Sequence, residues 1–243
     1  MIKENECLDD LQNGYYIIQK QNGFKFGVDA VLLSDFAADA RSRKTLDLCT
    51  GTGIVPVLLA AKTDTASICG LEIQPDIAEM AQRSVEYNKL IERVHITCGD
   101  LKDAPDLYGR GIFDKVTVNP PYMKGGAGLQ NDTNTKSISR HEVLCTLDDV
   151  LRVSAELLIS KGRFFMVHRP SRLADIMCTM RKYRLEPKRL RFVHPSEGKA
   201  PNMLLVEGMK DGGEELKILP PLYVHNADGS YTDEIDRIYG RKG

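Results

Sequence analysis

Four consecutive residues, Asn119, Pro120, Pro121 and Tyr122, form the pattern with the most specific chemistry in the chain. Two prolines in a row fix φ and remove two backbone N–H donors, which leaves the nearby carbonyl oxygens uncovered. The Asn119 amide oxygen and the Pro120 carbonyl oxygen can then both accept hydrogen bonds from one planar –NH₂ group. The Tyr122 ring can stack on the plane that bears this group. The pattern predicts a site for an exocyclic amine.

Such an amine is a poor nucleophile because its lone pair is delocalised into a π system. Two acceptors on its hydrogens draw the nitrogen toward tetrahedral geometry and stabilise the positive charge that develops during attack on a sulfonium methyl group. The proton leaves afterwards, so no strong base is needed, and most of the rate gain comes from alignment and electrostatics. The structural alternative is a proline-rich turn that only ends a strand.

A glycine-rich turn precedes this motif, in the stretch LDLCTGTGI at 46–54. Gly51 and Gly53 let the backbone approach a ligand closely, and the turn opens a helix. Pro56 occupies the third glycine position of a dinucleotide fingerprint, which argues against a pyrophosphate there. The helix N-terminus still suits a carboxylate or ribose hydroxyls. Taken alone, the turn also fits a tight strand-to-helix connection.

Two acidic residues follow at the ends of the next two predicted strands. Glu72 comes 21 residues after Gly51, the interval at which an acid can take both hydroxyls of a ribose, and Ile73 beside it can pack on a purine. Asp100 can accept from an exocyclic amino group. Acids at these places also commonly cap the following helix. Their occurrence at successive strand ends favours a nucleoside site.

The elements that must position these residues alternate along the chain. Predicted strands span 45–49, 66–73, 94–98, 112–118, 163–168, 190–194 and 203–208, and predicted helices span 28–38, 54–62, 76–88, 147–160 and 172–183. This alternation indicates βαβ units in a doubly wound three-layer sandwich. We predict a mostly parallel seven-stranded sheet whose last two strands form an antiparallel hairpin at its edge.

One domain is expected, with three parts: an N-terminal hairpin and helix at 1–43, a core at 44–210 and a C-terminal appendage at 211–243. The β-rich run at 14–19 and the Asn22-Gly23 turn signal predict the hairpin. The net charge of −1 excludes a uniformly basic coat. The chain lacks a signal-peptide pattern, a long apolar span and paired cysteine motifs, so we predict a cytoplasmic protein without metal or membrane.

The combined motifs resemble the class I S-adenosyl-L-methionine-dependent methyltransferases that modify amino nitrogens, over residues 24 to about 208. The resemblance implies their Rossmann-like fold and S-adenosyl-L-methionine as cofactor. It also implies that the cofactor contacts Phe26, Gly27, Asp29, Asp47, Cys49, Gly51, Gly53, Glu72, Ile73, Asp100, Leu101 and Asn119. The chain departs from the family at Cys49, where glycine is usual, and the larger side chain narrows the expected pocket.

The wider layout is similar to bacterial enzymes that methylate N6 of adenine 37 in the anticodon loop of a valine tRNA. This resemblance rests on the stretches FGVDAVLL at 26–33, RHE at 140–142 and VHRP at 167–170. It implies tRNA as the partner and an RNA adenine as the acceptor.

Charge and layout also favour a structured RNA. Residues 152–199 contain twelve Lys and Arg against four Asp and Glu, which predicts a basic face for a phosphate backbone, although solvated helix faces would give the same count. The glycine-rich segment 123–139 can close over a flipped-out base. The candidate RNA contacts are Lys124, Arg140, His141, Arg169 and Arg172. No separate region for reading DNA sequence is evident, which suits a compact tRNA loop.

Two alternatives stay open at this point. The first is a glutamine N5-methyltransferase of a peptide release factor, which shares the Asn-Pro-Pro-Tyr motif but usually carries an N-terminal helical bundle. The second is a non-catalytic RNA-binding module, which the intact motif disfavours. The sequence leaves the oligomeric state undetermined, with a monomer favoured.

Overall fold

Short apolar runs alternate with amphipathic segments, and they form the strands and helices of a layered α/β structure. The computed structural model describes residues 2–11, 14–22, 27–121 and 145–241. The strands are β1 Glu6–Asp10, β2 Tyr16–Lys20, β3 Lys44–Leu48, β4 Ser67–Glu72, β5 Val94–Cys98, β6 Phe113–Val118, β7 Leu158–His168, β8 Leu185–Ser196, β9 Met203–Lys210, β10 Lys217–Ile218 and β11 Leu222–His225. The helices are α1 Val28–Ala38, α2 Ile54–Lys62, α3 Pro75–Tyr87, α4 Ala104–Tyr108, α5 Leu147–Leu157, α6 Leu173–Lys182 and α7 Asp233–Ile238.

The central sheet runs in the order β10–β8–β9–β7–β6–β3–β4–β5, with β11 also paired to β8. Strands β7, β6, β3, β4 and β5 are mutually parallel, whereas β9 is antiparallel to both β7 and β8. The predicted α/β fold with a mostly parallel sheet and an antiparallel hairpin is therefore confirmed. The short strands β10 and β11, which the sequence did not predict, extend the seven expected strands.

The sheet divides the hydrophobic core into two layers. Successive residues of β7 point to opposite faces, so Phe165 joins the cluster beneath α1 and α2 while Phe164 and Met166 join the cluster beneath α5 and α6. All three side chains are fully buried. Both faces of the sheet are covered, which is the arrangement expected of a parallel sheet with helical crossovers.

Several boundaries differ from the sequence-based expectation. The opening hairpin pairs β1 with β2, so its turn precedes Tyr16, and the Asn22-Gly23 signal follows the second strand. The prediction missed β1 because ECLDD carries three acidic residues in five. The helix predicted to reach residue 160 ends at Leu157, because Leu158 already pairs with Phe113. Helix α4, with its preceding 3₁₀ turn, was not predicted.

Helix α1 is anchored to β6 near its C-terminal end. The Lys115 Nζ on β6 donates to the Ala37 carbonyl oxygen at 2.6 Å. Burial lowers the pKa of Lys115 to about 8, against the opposing effect of the Asp39 and Glu207 carboxylates. This bond fixes the helix relative to the strand that leads into Asn119. No helix in the described ranges combines the length and apolar character that crossing a bilayer requires.

Candidate cofactor and acceptor site

Four neighbouring parallel strands bring the predicted site residues to one edge of the sheet. Their spatial order is β6, β3, β4, β5, and their carboxyl ends lead into Asn119, the glycine turn, Glu72 and Asp100 respectively. With strands spaced about 4.8 Å apart, these ends span roughly 14 Å. Ligands of open α/β sheets bind at this edge. The fold therefore collects in one row residues that are far apart in the chain.

The two glycines of the turn serve different purposes. Gly51 and Gly53 both have positive φ, at 56° and 86°. A Cβ added at Gly53 would lie 3.2 Å from the Ala81 Cβ, so this glycine permits close packing of α2 on α3. Among the residues that the structure describes, nothing lies within 4 Å of a Cβ added at Gly51. The described part of the chain therefore leaves space beside Gly51.

Glu72 ties this turn to the end of β4. Its side chain is buried, with 5% of the residue exposed. The Gly51 N–H donates to Oε2 at 2.9 Å, and the Gln74 N–H donates to Oε1 at 3.0 Å. A carboxylate oxygen can accept two hydrogen bonds, so Oε2 keeps capacity for a ligand hydroxyl. Glu72 therefore both builds the turn and suits the predicted ribose contact.

Asp100 follows β5 and caps the 3₁₀ turn Leu101–Asp103. Its Oδ1 accepts from the Lys102 N–H at 2.9 Å, which is the capping role weighed as an alternative from the sequence. Oδ2 takes no part in this cap. Beside the acids, Leu101 is buried and Ile73 is half-buried, so both add apolar surface near the predicted base position.

Asp47 lies within the sheet, below the turn. Its residue is 2% exposed, and its Oδ1 accepts from the Thr117 Oγ1 on the adjacent strand β6 at 2.6 Å. Burial is the main cause that raises the pKa of Asp47 to about 7, and the nearby Glu72 charge adds to it. The carboxyl links β3 to β6, the two strands that end in the turn and in Asn119.

Cys49 occupies a left-handed backbone position, with φ of 56°. The nearby thiol of Cys145 and burial together hold the pKa of Cys49 well above its usual value. The thiol therefore stays protonated. Nothing in the sequence signalled the approach of Cys145, which lies 96 positions further along the chain.

The amide of Asn119 is held by a residue from α1. Its Nδ2 donates to the Asp29 Oδ2 at 3.0 Å. Because the amide group is planar, its Oδ1 acceptor lies on the side away from Asp29. Pro120 is buried and Pro121 half-buried, directly after this side chain. The site therefore contains the two oxygens, Asn119 Oδ1 and Pro120 O, that the motif predicts as amine acceptors.

Five of the predicted site residues lie outside the described residues: Phe26, Tyr122, Lys124, Arg140 and His141. Of the other candidate RNA contacts, Arg169 is exposed, and the Arg172 Nε donates to the Asp175 Oδ2 at 2.7 Å. His168 is buried and its Nδ1 accepts from the Arg169 N–H at 2.8 Å. Burial is the main cause that lowers the pKa of His168 to about 4. The ring is therefore neutral near pH 7.

Much of the basic segment 152–199 is compensated by acids from elsewhere in the chain. Eight of its twelve basic residues form ion pairs with carboxylates: Arg152, Arg163, Arg172, Arg181, Lys182, Arg184, Arg189 and Arg191. Their partners include Asp148, Asp211 and Glu234, which lie outside the segment. In the part of the chain with described coordinates, no cluster of His, Cys, Asp or Glu has the arrangement of a metal site.

The sequence profile of the methyltransferase small domain family matches residues 21–179. This chain belongs to that family. The match covers α1, the glycine turn, both acids and the Asn-Pro-Pro-Tyr motif. The predictions of a methyltransferase and of S-adenosyl-L-methionine as its cofactor are thereby confirmed.

Two relatives and one solved structure are similar over most of this methyltransferase. A protein from Porphyromonas gingivalis named tRNA1(Val) (adenine(37)-N6)-methyltransferase is 30% identical over 88% of this chain and 86% of its own length. A protein of the same name from Aeromonas salmonicida is 27% identical over 90% of both chains. The crystal structure of a predicted O-methyltransferase from Agrobacterium tumefaciens superposes with a TM-score of 0.71 at 24% identity, covering 87% of this chain and 95% of that one. The structural likeness supports the fold.

Proposed function

We propose that this methyltransferase transfers a methyl group to N6 of adenine 37 in the anticodon loop of a valine tRNA. The observation that carries the proposal is the position of the Asn-Pro-Pro motif directly after β6, beside β3 and its glycine turn, with the Asn119 amide nitrogen bonded to Asp29. The names of the relatives from Porphyromonas gingivalis and Aeromonas salmonicida support RNA over a release-factor glutamine as the acceptor. Action on tRNA would place the protein in the cytoplasm.

The order of the strand ends matches the order of parts in S-adenosyl-L-methionine. We assign Asp100 to the adenine, Glu72 to the ribose and the turn at Gly51 to the methionine end. The open space beside Gly51 and the acceptor capacity of Glu72 Oε2 fit such a molecule. When bound, the cofactor supplies an electrophilic methyl group on a positively charged sulfur.

The protein's own residues act on the acceptor amine. Asn119 Oδ1 and the Pro120 carbonyl accept its two hydrogens, which localises the nitrogen lone pair and orients it toward the methyl group. Both oxygens also stabilise the positive charge that develops on nitrogen. The proton leaves to solvent after transfer.

The deciding experiment is incubation of the purified protein with isotope-labelled S-adenosyl-L-methionine and bulk tRNA, followed by digestion and mass spectrometry of the nucleosides. We expect labelled N6-methyladenosine, located at position 37 of a valine tRNA by fragment mapping. Asn119→Ala should remove nearly all of the label while leaving cofactor affinity within about threefold, since Asn119 acts on the acceptor.

A parallel incubation with a peptide release factor tests the competing acceptor. Label on glutamine with none on tRNA would overturn the proposal in favour of protein methylation. Cofactor binding by calorimetry without label on either substrate would overturn the catalytic assignment itself.

A further inference from the structure

A side-chain amide can be turned by 180° about its last bond, and the two orientations have opposite chemistry. With oxygen toward the substrate, Asn119 accepts a hydrogen bond from the target amine. With nitrogen toward the substrate, it would present a donor to a group that needs an acceptor. Methyl transfer therefore depends on a second group that holds the Asn119 amide with its oxygen toward the substrate, because the side chain of Asn119 by itself can adopt both orientations.

The structure supplies a selecting partner in Asp29, 90 positions away in the chain. Its Oδ2 accepts from the Asn119 Nδ2 at 3.0 Å. Its Oδ1 accepts from the Ala30 N–H at 3.0 Å, in the first turn of α1. A carboxylate has only hydrogen-bond acceptors, so both of its oxygens can bond only to the nitrogen of the Asn119 amide and not to its oxygen. Asp29 thus excludes the reversed orientation of Asn119.

The surroundings hold Asp29 in place. Gly27 precedes the helix, and a Cβ at this position would lie 2.6 Å from the Asp29 Oδ1. At the other end of α1, Lys115 on β6 donates to Ala37 O at 2.6 Å. Helix α1 and strand β6 are therefore joined by a hydrogen bond at each end, and the Asp29–Asn119 bond is the one nearest the acceptor oxygens.

We propose that Asp29 is a positioning residue that orients the Asn119 amide, so that its oxygen faces the target amine and its nitrogen faces α1. This inference rests on the proposed function. The carboxylate also polarises the amide, because a hydrogen bond donated by Nδ2 strengthens Oδ1 as an acceptor. This role differs from the direct cofactor contact that the family resemblance implies for Asp29.

A polarity swap tests the assignment. In Asp29→Asn, the Ala30 N–H holds the new amide oxygen, so the new –NH₂ group faces Asn119 and reverses it. In Asn119→Asp, two carboxylates meet where one hydrogen bond was. The double variant restores the hydrogen bond with reversed polarity, because position 29 now carries the donor and position 119 the carboxylate acceptor. We expect each single change to lower kcat about 10–100-fold, the scale for losing a supporting partner, and the double variant to recover at least tenfold.

The measurements separate this role from others. The KM for cofactor and its affinity by calorimetry should change less than about threefold in Asp29→Asn, whereas a direct contact would weaken both. Asp35→Asn is the matched control, since Asp35 lies on the same helix and pairs with Lys62 away from the site. It should leave kcat unchanged. The proposal would be overturned if the double variant unfolds cooperatively but its kcat is no higher than that of the less active single variant.

An amide-proton measurement tests the orientation without any substrate. In nitrogen-resolved NMR spectra, the Asn119 –NH₂ pair, assigned by its absence in Asn119→Asp, should show one proton shifted downfield by the carboxylate. Asp29→Asn should remove that shift. If the shift is present but wild type methylates no adenine, the proposed function fails and the positioning role stands. If wild type is active but the shift and the rescue are both absent, the positioning role fails alone.

Discussion

Replacing Glu72 by glutamine changes one oxygen to –NH₂ and leaves the side chain almost the same size. The carboxylate accepts from two backbone N–H groups, those of Gly51 and Gln74. Glutamine has one acceptor oxygen, so its –NH₂ must face one of these donors. A buried donor without a partner costs about 1–3 kcal/mol, so we expect the free energy of unfolding to fall by that amount.

The same change removes a charged acceptor from the predicted ribose site. Hydrogen bonds to charged groups contribute roughly 1.5–3 kcal/mol. The Kd for S-adenosyl-L-methionine should therefore rise roughly tenfold to a hundredfold. Urea unfolding without cofactor measures the first effect, and titration calorimetry measures the second.

Asp76→Asn is the control for this experiment. Asp76 begins α3 just beyond Glu72, and its side chain is 61% exposed and paired with Lys20. Losing a surface pair costs less than about 1 kcal/mol, and the cofactor Kd should not change. If Glu72→Gln lost stability but bound cofactor as wild type does, Glu72 would only build the turn. The assignment of β4 to the ribose would then be refuted.

Three further outcomes follow from local geometry. Cys49 has a Cβ at a backbone position with positive φ, which is strained for residues other than glycine. In urea unfolding, Cys49→Gly should therefore be more stable than Cys49→Ala by about 1 kcal/mol. Equal stability of the two variants would contradict strain at this position. Gly27→Ala should lower kcat about tenfold, because the new Cβ displaces the Asp29 carboxylate. The melting temperature should change little, because alanine adopts the φ of −94° found at Gly27. An unchanged kcat would contradict this prediction. The pKa of His168 is about 4 in the folded protein, below the 6.5 of an unfolded chain. Below pH 6.5 the unfolded chain therefore binds a proton that the folded protein does not bind. The free energy of unfolding should fall by about 1.4 kcal/mol per pH unit between pH 6.5 and 4, and it should not depend on His168 above pH 6.5. His168→Asn keeps an acceptor for the Arg169 N–H but cannot titrate, so unfolding measured at pH 4.5, 5.5 and 6.5 should show a shallower fall; an equal slope would contradict the assignment.

The fold and the edge that carries the site were predictable because parallel strands of one sheet share a direction. Once 45–49, 66–73, 94–98 and 112–118 are recognised as such strands, their carboxyl ends must lie together. The sequence did not determine their spatial order. Strand β6 crosses back to lie beside β3, and this places Asn119 next to the glycine turn and not next to Asp100. The periodicity of apolar residues predicts which face of a strand is buried, but it does not predict which strand lies beside it in the sheet.

Contacts between distant residues were also beyond the sequence. The hydrogen bond between Asn119 and Asp29 arises because α1 runs antiparallel to β6 and is anchored there by Lys115, a packing that the sequence does not reveal. The basic count in 152–199 overstated the net positive charge of that segment for the same reason. Acids such as Asp148 and Glu234 reach that segment only after folding.

Methylation of an amine that needs no strong base places an unusual demand on a protein, since orientation must supply most of the rate. Orientation is reliable only when the groups that impose it lie on rigid elements. In the proposed site, one acceptor is a backbone carbonyl that follows Asn119 within a pair of prolines, and the other is the Asn119 amide, whose nitrogen is bonded to the Asp29 carboxylate. The proposed chemistry of nitrogen methylation therefore draws on the sheet edge that follows β6 and on α1.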